Sequence, residues 1–142
     1  MSGKVATASV DIQATPDRVW AALTDPDQIK QFMMGSEVDT DWRVGSPITW
    51  KGEFQGRKYE DKGEILEFSP PSRLAMTHFS PLSGAEDKPG NYHTVVYELE
   101  DAGDKTHVSL VQDGNSSDEE ADHSAKNWTM MLKGLKKVTE QG

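Results

Sequence analysis

The segment that decides the fold is residues 117–138, SDEEADHSAKNWTMMLKGLKKV. Ser117 and Glu120 have the spacing of a capping box, and the acidic residues between them complement the positive end of a helix dipole. Apolar residues then recur at steps of three and four, which predicts a helix with one apolar stripe over about five turns. The stripe consists of Ala121, Ala125, Trp128, Met131, Leu132, Leu135 and Val138.

The surface that this stripe covers is expected from residues 36–113, where the apolar period changes to two. Short alternating segments there are separated by turns such as RVG, QG and DAGD, which favours consecutive antiparallel strands. The weakly alternating N-terminal segment adds one more strand. The predicted strands are residues 4–13, 37–42, 46–54, 57–68, 73–79, 92–100 and 105–113.

Two short helices are predicted between the first and second strands. Thr15 is a natural N-cap followed by Pro16 at the first helical position, and Asp25 followed by Pro26 repeats the device. Gln28 is expected to complete a capping box with Asp25. The predicted apolar sides comprise Val19, Trp20, Leu23, Ile29, Phe32 and Met33.

This order of elements predicts a single α+β domain over residues 1–142. The economical arrangement lays the long helix across the concave face of a curved antiparallel sheet, so that each buries its apolar side against the other. A curved sheet that holds a helix in this way leaves a gap, and gaps lined by apolar side chains with a few polar groups are where ligands bind.

The composition excludes several classes of function. The net charge of −9 argues against nucleic-acid binding, and the basic cluster of Lys133, Lys136 and Lys137 suits the last turns of a helix. With no Cys and four widely spaced His, we expect no disulfide, no metal site and no cofactor. The N-terminal MSGKVATASVDIQ lacks the apolar stretch of a signal peptide. We therefore expect a cytoplasmic protein that does not insert stably into membranes.

Four segments in this order resemble one known family: TPDRVWAALTDPDQIKQF, DWRVGSPITW, KGEILEFSPPSRLAMT and NWTMMLKGLKKV. Over roughly residues 5–140 the chain is similar to the START-like (SRPBCC, helix-grip) superfamily. The similarity is to its branch related to the C-terminal domain of the activator of heat shock protein 90 ATPase. The resemblance implies a curved seven-stranded antiparallel sheet in the order β-α-α-β6-α around the C-terminal helix, with an internal apolar cavity. Relatives include lipid carriers, hormone receptors, aromatase/cyclases and co-chaperone domains.

The side chains predicted to line the cavity come from both layers. Trp50 and Phe54 are expected on the concave face, whereas Trp42 is expected to pack at a corner of the sheet. In the family the C-terminal helix forms one wall, which implies contacts from that helix. The predicted ligand-binding set is Trp20, Phe32, Trp50, Phe54, Met76, His78, Tyr97, Gln112, Trp128, Met131 and Leu132.

Three of these residues are polar handles. His78 shares a strand face with Leu74 and Met76, and Tyr97 and Gln112 also fall on apolar faces. An imidazole, a hydroxyl and an amide can orient a carbonyl or hydroxyl of a largely apolar ligand. Asp61 or Glu64 of the 57–68 strand could join these groups in an acid/base set, although carboxylates on this strand more often point to solvent. His93 and His123 are expected at the surface.

Three functions remain open from the sequence. The first is non-enzymatic binding of a small hydrophobic or amphipathic molecule. The second is a cyclase- or hydrolase-like activity on a polyketide-type or aromatic substrate, in which His78 and Tyr97 form an acid/base set. The third is a co-chaperone-like interaction domain, which requires an exposed apolar patch or a charged docking face. Exposed sheet edges allow a homodimer.

Overall fold

The computed structural model describes residues 4–33, 35–81, 84 and 86–141, without the side chain of Phe54. Within them, seven strands and three α-helices follow one another in the predicted order. A short 3-10 helix, Pro89–Asn91, precedes β6. The elements are β1 Lys4–Ile12, α1 Pro16–Leu23, α2 Pro26–Phe32, β2 Glu37–Thr40, β3 Pro47–Phe54, β4 Arg57–Ser69, β5 Arg73–His78, β6 His93–Asp101, β7 Thr106–Asn115 and α3 Asp118–Gln141.

The strands form one antiparallel sheet in the order β1-β7-β6-β5-β4-β3-β2. Consecutive strands from β2 to β7 are neighbours, and β1 joins the far edge beside β7. The sheet is open, because β1 and β2 are its two edges. This arrangement confirms the α+β helix-grip fold predicted from the sequence.

Helix α3 packs mainly against β1, with further contacts to β7, α1 and α2. Its side chains Leu132 and Leu135 are fully buried in the core. Ser117 caps the helix as predicted, with its Oγ accepting the N–H of Glu120 at 3.1 Å. The Glu120 carboxylate accepts from the backbone N–H of Ser116 rather than from that of Ser117, which shifts the predicted capping box by one residue.

The two short helices begin where the sequence predicted. The Thr15 hydroxyl accepts the N–H of Arg18, and the Asp25 carboxylate accepts the N–H of Asp27. The role predicted for Gln28 was wrong in detail, because its amide donates to the Asp25 carboxylate at 2.8 Å and not to the backbone of the capping residue. These caps fix the ends of α1 and α2 beside α3.

Two local features of the sheet depart from simple alternation. The second strand ends at Thr40, two residues earlier than predicted, because Trp42 adopts a left-handed conformation with φ of 57°. In β4 the pairing with β5 shifts between Ile65 and Glu67. This bulge lets both Ile65 and Phe68 face the core, three residues apart, while Leu66 is exposed.

Candidate functional site

A partly open cavity of about 130 Å³ lies between the sheet and the helices. Strands β2 to β6 supply its floor, and α1, α2 and α3 supply its cover. Its wall is mainly apolar, with a few polar groups. The lining residues are Leu23, Ile29, Phe32, Met33, Ser36, Val38, Trp42, Ile48, Trp50, Tyr59, Asp61, Leu74, Met76, His78, Val95, Tyr97 and Trp128.

A more open groove of about 430 Å³ adjoins the cavity on the side of α2 and α3. Phe32, Met33 and Trp128 line both spaces. The groove is completed by Gln112, Ser124, Asn127, Met130 and Met131. These shared residues therefore form the boundary between the cavity and the groove.

The position of Trp128 in this boundary is held by a hydrogen bond from β7. The indole Nε1–H of Trp128 donates to Oε1 of Gln112 at 2.5 Å. Gln112 is itself buried, so its amide oxygen obtains a partner that water does not supply. Gln112 thus orients the indole, and its amide lines the groove rather than the cavity.

The polar group at the sheet wall of the cavity is the pair of His78 and Asp61. Nε2 of His78 lies 2.9 Å from Oδ2 of Asp61, and because a carboxylate only accepts, the imidazole donates. The Trp50 ring meets the imidazole edge-on at 5.1 Å between centroids. Oδ1 of Asp61 is buried and has no hydrogen-bond partner among the described residues.

Tyr97 is the second buried polar group of the cavity. Its hydroxyl is directed at the sulfur of Met131 at 4.0 Å, a weak acceptor. Burial raises the pKa of the Tyr97 hydroxyl well above its ordinary value of 10.0. The hydroxyl therefore stays protonated at neutral pH, where it can donate a hydrogen bond, and it is a weaker acid than an exposed tyrosine.

A third polar contact closes the end of the cavity near β2. The hydroxyls of Ser36 and Tyr59 are hydrogen-bonded to each other, and both residues line the cavity. The Tyr59 ring lies over Gly52 on the neighbouring strand, where a Cβ atom would collide with the phenol oxygen. Gly52 therefore provides the room that Tyr59 occupies.

The structure distributes the predicted site residues over three environments. Trp20 and Leu132 line neither space and belong to the packed core, with Trp20 meeting Phe68 edge-on at 5.3 Å. Gln112 and Met131 lie on the groove. The side chain of Phe54 lies outside the described residues. The predicted residues on the cavity are Phe32, Trp50, Met76, His78, Tyr97 and Trp128.

Three residues differ from the main expectation drawn from the sequence. For Asp61 a solvent-facing position was favoured over an inward one, and the structure places it in the cavity lining with its side chain 17% exposed. Trp42 was expected only to pack at a corner, yet it lines the cavity as well as contacting Phe68. His93 is half-buried, and its Nδ1 donates to the carbonyl of Asp113 at 2.8 Å. One signal for Asp61 was available, since it is four residues from the apolar Ile65 on an alternating strand.

The contacts of His78 and Tyr97 differ from those of a shared acid/base set. His78 is bonded to Asp61, whereas the Tyr97 hydroxyl points to the thioether of Met131. The described side chains include no group of three or more His, Asp and Glu arranged to hold a metal ion. Within the described parts of the chain, no helix is long and apolar enough to cross a membrane.

Comparison with known proteins places this geometry in a family. Residues 13–140 match the family described as activator of Hsp90 ATPase homolog 1-like protein. The protein ChR145 of Cytophaga hutchinsonii, known from a solution structure, is 46% identical, with 99% of this chain and 97% of that chain covered and a TM-score of 0.85. A search of curated proteins gave no match.

Two more distant structures share the fold. One is the solution structure of the Aha1 dimer from Colwellia psychrerythraea, with 22% identity, 96% of each chain covered and a TM-score of 0.73. The other is an HSP90 activator from Plasmodium falciparum, with 18% identity, 96% of each chain covered and the same TM-score of 0.73. At these identities the likeness shows a common architecture.

Proposed function

The chain belongs to the activator of Hsp90 ATPase homolog 1-like family, and from this premise we propose that it binds a small apolar or amphipathic molecule between the sheet and α3. Family membership supports a ligand-binding or co-chaperone-like domain. The observation that carries the ligand-binding choice is the mainly apolar cavity with polar groups confined to a few points of its wall.

The size of the cavity limits what it accepts. An engineered apolar cavity of about 150 Å³ in another protein binds benzene, so a space of this order holds one six-membered ring. The cavity here measures about 130 Å³. We infer that one ring, or an acyl segment of similar volume, occupies it and that any larger remainder lies in the adjoining groove.

The groove is the access route in this proposal. Trp128, Phe32 and Met33 separate it from the cavity, and rotation of these side chains would join the two spaces. Met130, on the groove, has 63% of its surface exposed. An unbranched thioether adapts its shape to different ligands, which suits the rim of such an opening.

Native mass spectrometry tests the proposal. The protein is purified without detergent or organic solvent, and any bound molecule is identified after denaturing extraction. Asn127→Trp places a large side chain on the groove and should reduce an adduct or exogenous binding of a single-ring compound at least about tenfold. Lys133→Trp, at an exposed position of α3 outside the groove, is the matched control.

Equal binding by both tryptophan variants would contradict access through the groove. A wild-type protein that carries no adduct and binds no member of a panel of single-ring and acyl compounds would overturn the binding function itself. The co-chaperone alternative would then be preferred, although the exposed large apolar residues among those described are spread over three elements and one loop: Val5, Val44, Leu66 and Met130.

A second candidate, proton transfer on the bound molecule, is favoured by one observation. Asp61 holds the His78 imidazole in the wall of the cavity, and a carboxylate partner fixes the tautomer and orientation of a histidine base. The experiment is to incubate the extracted ligand with wild type and with His78→Gln. Chemical conversion by wild type alone supports catalysis, and recovery of unchanged ligand from both excludes it for that compound.

A further inference from the structure

One polar atom of a cavity-lining residue has no hydrogen-bond partner among the described residues. The Asp61 carboxylate uses Oδ2 to accept from His78, but Oδ1 is buried and accepts no hydrogen bond from the described residues. Buried carboxylate oxygens are normally satisfied, because desolvation without a donor is unfavourable. An unsatisfied acceptor on a residue that lines a cavity is suited to a donor that enters the cavity.

The position of Asp61 follows from the register of the sheet. Asp61 pairs with Trp50 across β3 and β4, and its face of β4 continues through Gly63 to the fully buried Ile65. A Cβ atom at Gly63 would collide with the carbonyl oxygen of Thr77, so the glycine allows β5 to approach β4 closely. Asp61 is therefore on the face of β4 that turns toward the core, with its side chain 17% exposed.

The neighbours of Asp61 in the cavity wall are apolar or already bonded. Trp50, Met76 and Val95 supply apolar surface. His78 is the donor to the other carboxylate oxygen, and the hydroxyls of Ser36 and Tyr59 are bonded to each other. None of the described side chains places a donor within hydrogen-bond distance of Oδ1.

We propose that Asp61 anchors the ligand by accepting an O–H or N–H donor carried on a small ring, whose apolar body lies against Trp50 and Met76. This inference rests on the proposed function and narrows it to hydroxylated or aminated cyclic compounds. A hydrogen bond to an ionised acceptor is stronger than one between neutral groups, so the anchor selects donors over purely apolar molecules of the same shape.

Phenol and toluene test the inference, since they differ by one hydroxyl in place of one methyl. Dissociation constants of both are measured by NMR titration for wild type and for Asp61→Asn. In the variant, the amide oxygen keeps the bond from His78, and the NH₂ group replaces Oδ1 and cannot accept. We expect the ratio of the toluene to the phenol dissociation constant to fall at least about tenfold in Asp61→Asn.

Two controls separate an anchoring role from a structural one. Glu60→Gln changes the adjacent carboxylate on the outer face of β4 and should leave the ratio within about twofold of wild type. In wild type, the ¹³C chemical shift of the Asp61 carboxyl should move on addition of phenol and stay unchanged on addition of toluene. This second measurement requires no folded variant.

The outcomes distinguish this inference from the function on which it rests. If both probes bind and the ratio is the same in wild type and Asp61→Asn, the cavity binds rings but Asp61 does not anchor them. If neither probe binds wild type, ring binding in the cavity fails together with the anchor. A carboxyl shift that responds equally to both probes also overturns the anchoring role.

Discussion

The two halves of α3 present the same apolar stripe to different surroundings. The C-terminal half is hydrogen-bonded to β1 and to the residue that follows β1. Lys136 donates to the Asp11 carbonyl at 2.8 Å, and the Glu140 carboxylate accepts the N–H of Gln13 at 2.8 Å. Its Leu135 is fully buried. In the N-terminal half, Trp128 is only half-buried and faces the cavity and groove.

This difference shows that one helix can both seal a core and border a binding space. A repeat of apolar residues at three- and four-residue steps predicts which side of the helix is buried. The elements opposite each turn decide whether that side meets close-packed side chains or a hollow. We place the boundary between the close-packed half of α3 and the half that borders the cavity at the turn that contains Met131.

The largest effect is expected from a truncation in the sealing half. Leu135→Ala should lower the free energy of unfolding by about 3 kcal/mol, because it leaves a cavity in a close-packed site. Trp128→Ala should cost about half as much, since water and the existing hollow already border this larger side chain. Urea denaturation followed by circular dichroism measures both, and a larger loss for Trp128→Ala would contradict the division of α3.

An intermediate effect on the free energy of unfolding is expected from Tyr97 at alkaline pH. The hydroxyl of Tyr97 faces Met131. Because burial raises the pKa of Tyr97 in the folded protein, the folded state holds its proton at pH values where the unfolded chain has lost it. The free energy of unfolding is therefore unaffected by this group below pH 10. Above pH 10 it falls by about 1.4 kcal/mol per pH unit, until the titration of other groups unfolds the protein.

Tyr97→Phe supplies the comparison for this alkaline loss. Denaturation measured between pH 8 and about pH 11 should show the wild type losing stability more steeply than the variant above pH 10. Parallel curves for the two proteins would mean that the hydroxyl reaches solvent and that this wall of the cavity is open.

The smallest effect is expected at Asp61. Asp61→Asn replaces an unpartnered buried carboxylate oxygen by a neutral amide and should raise the free energy of unfolding by about 1 kcal/mol. Glu60→Gln, on the exposed face of β4, should change it by less than about 0.5 kcal/mol. A thermal denaturation series checks both, and destabilisation by Asp61→Asn would indicate a structural carboxylate rather than one kept for a ligand.

Most of the fold could be predicted from the sequence because its signals are local. The caps at Thr15, Asp25 and Ser117 bond to atoms two or three residues away, so their side chains act without reference to the rest of the chain. Period-two segments between turns likewise determined the seven strands and their antiparallel order.

The candidate site could be predicted only in part, because it depends on contacts between distant segments. Met76, His78 and Tyr97 were predicted by alternation within single strands, and the structure places them at the cavity. The cavity position of Trp42 was not predicted, because its left-handed backbone interrupts the strand alternation. The cavity position of Asp61 was not predicted, because the polarity of a carboxylate favours solvent.

The sequence by itself determined the elements, their ends and their apolar faces, since these follow from backbone hydrogen bonding and side-chain periodicity over a few residues. The tertiary structure alone decided where apolar faces leave a hollow and which oxygen in its wall remains unpartnered. Those features depend on how β4 pairs with β3 and β5 and on how closely α2 and α3 approach over Gly134, whose missing side chain lets Phe32 lie beside the helix. These distances depend on the packing of the whole chain, so they cannot be predicted from a local sequence pattern.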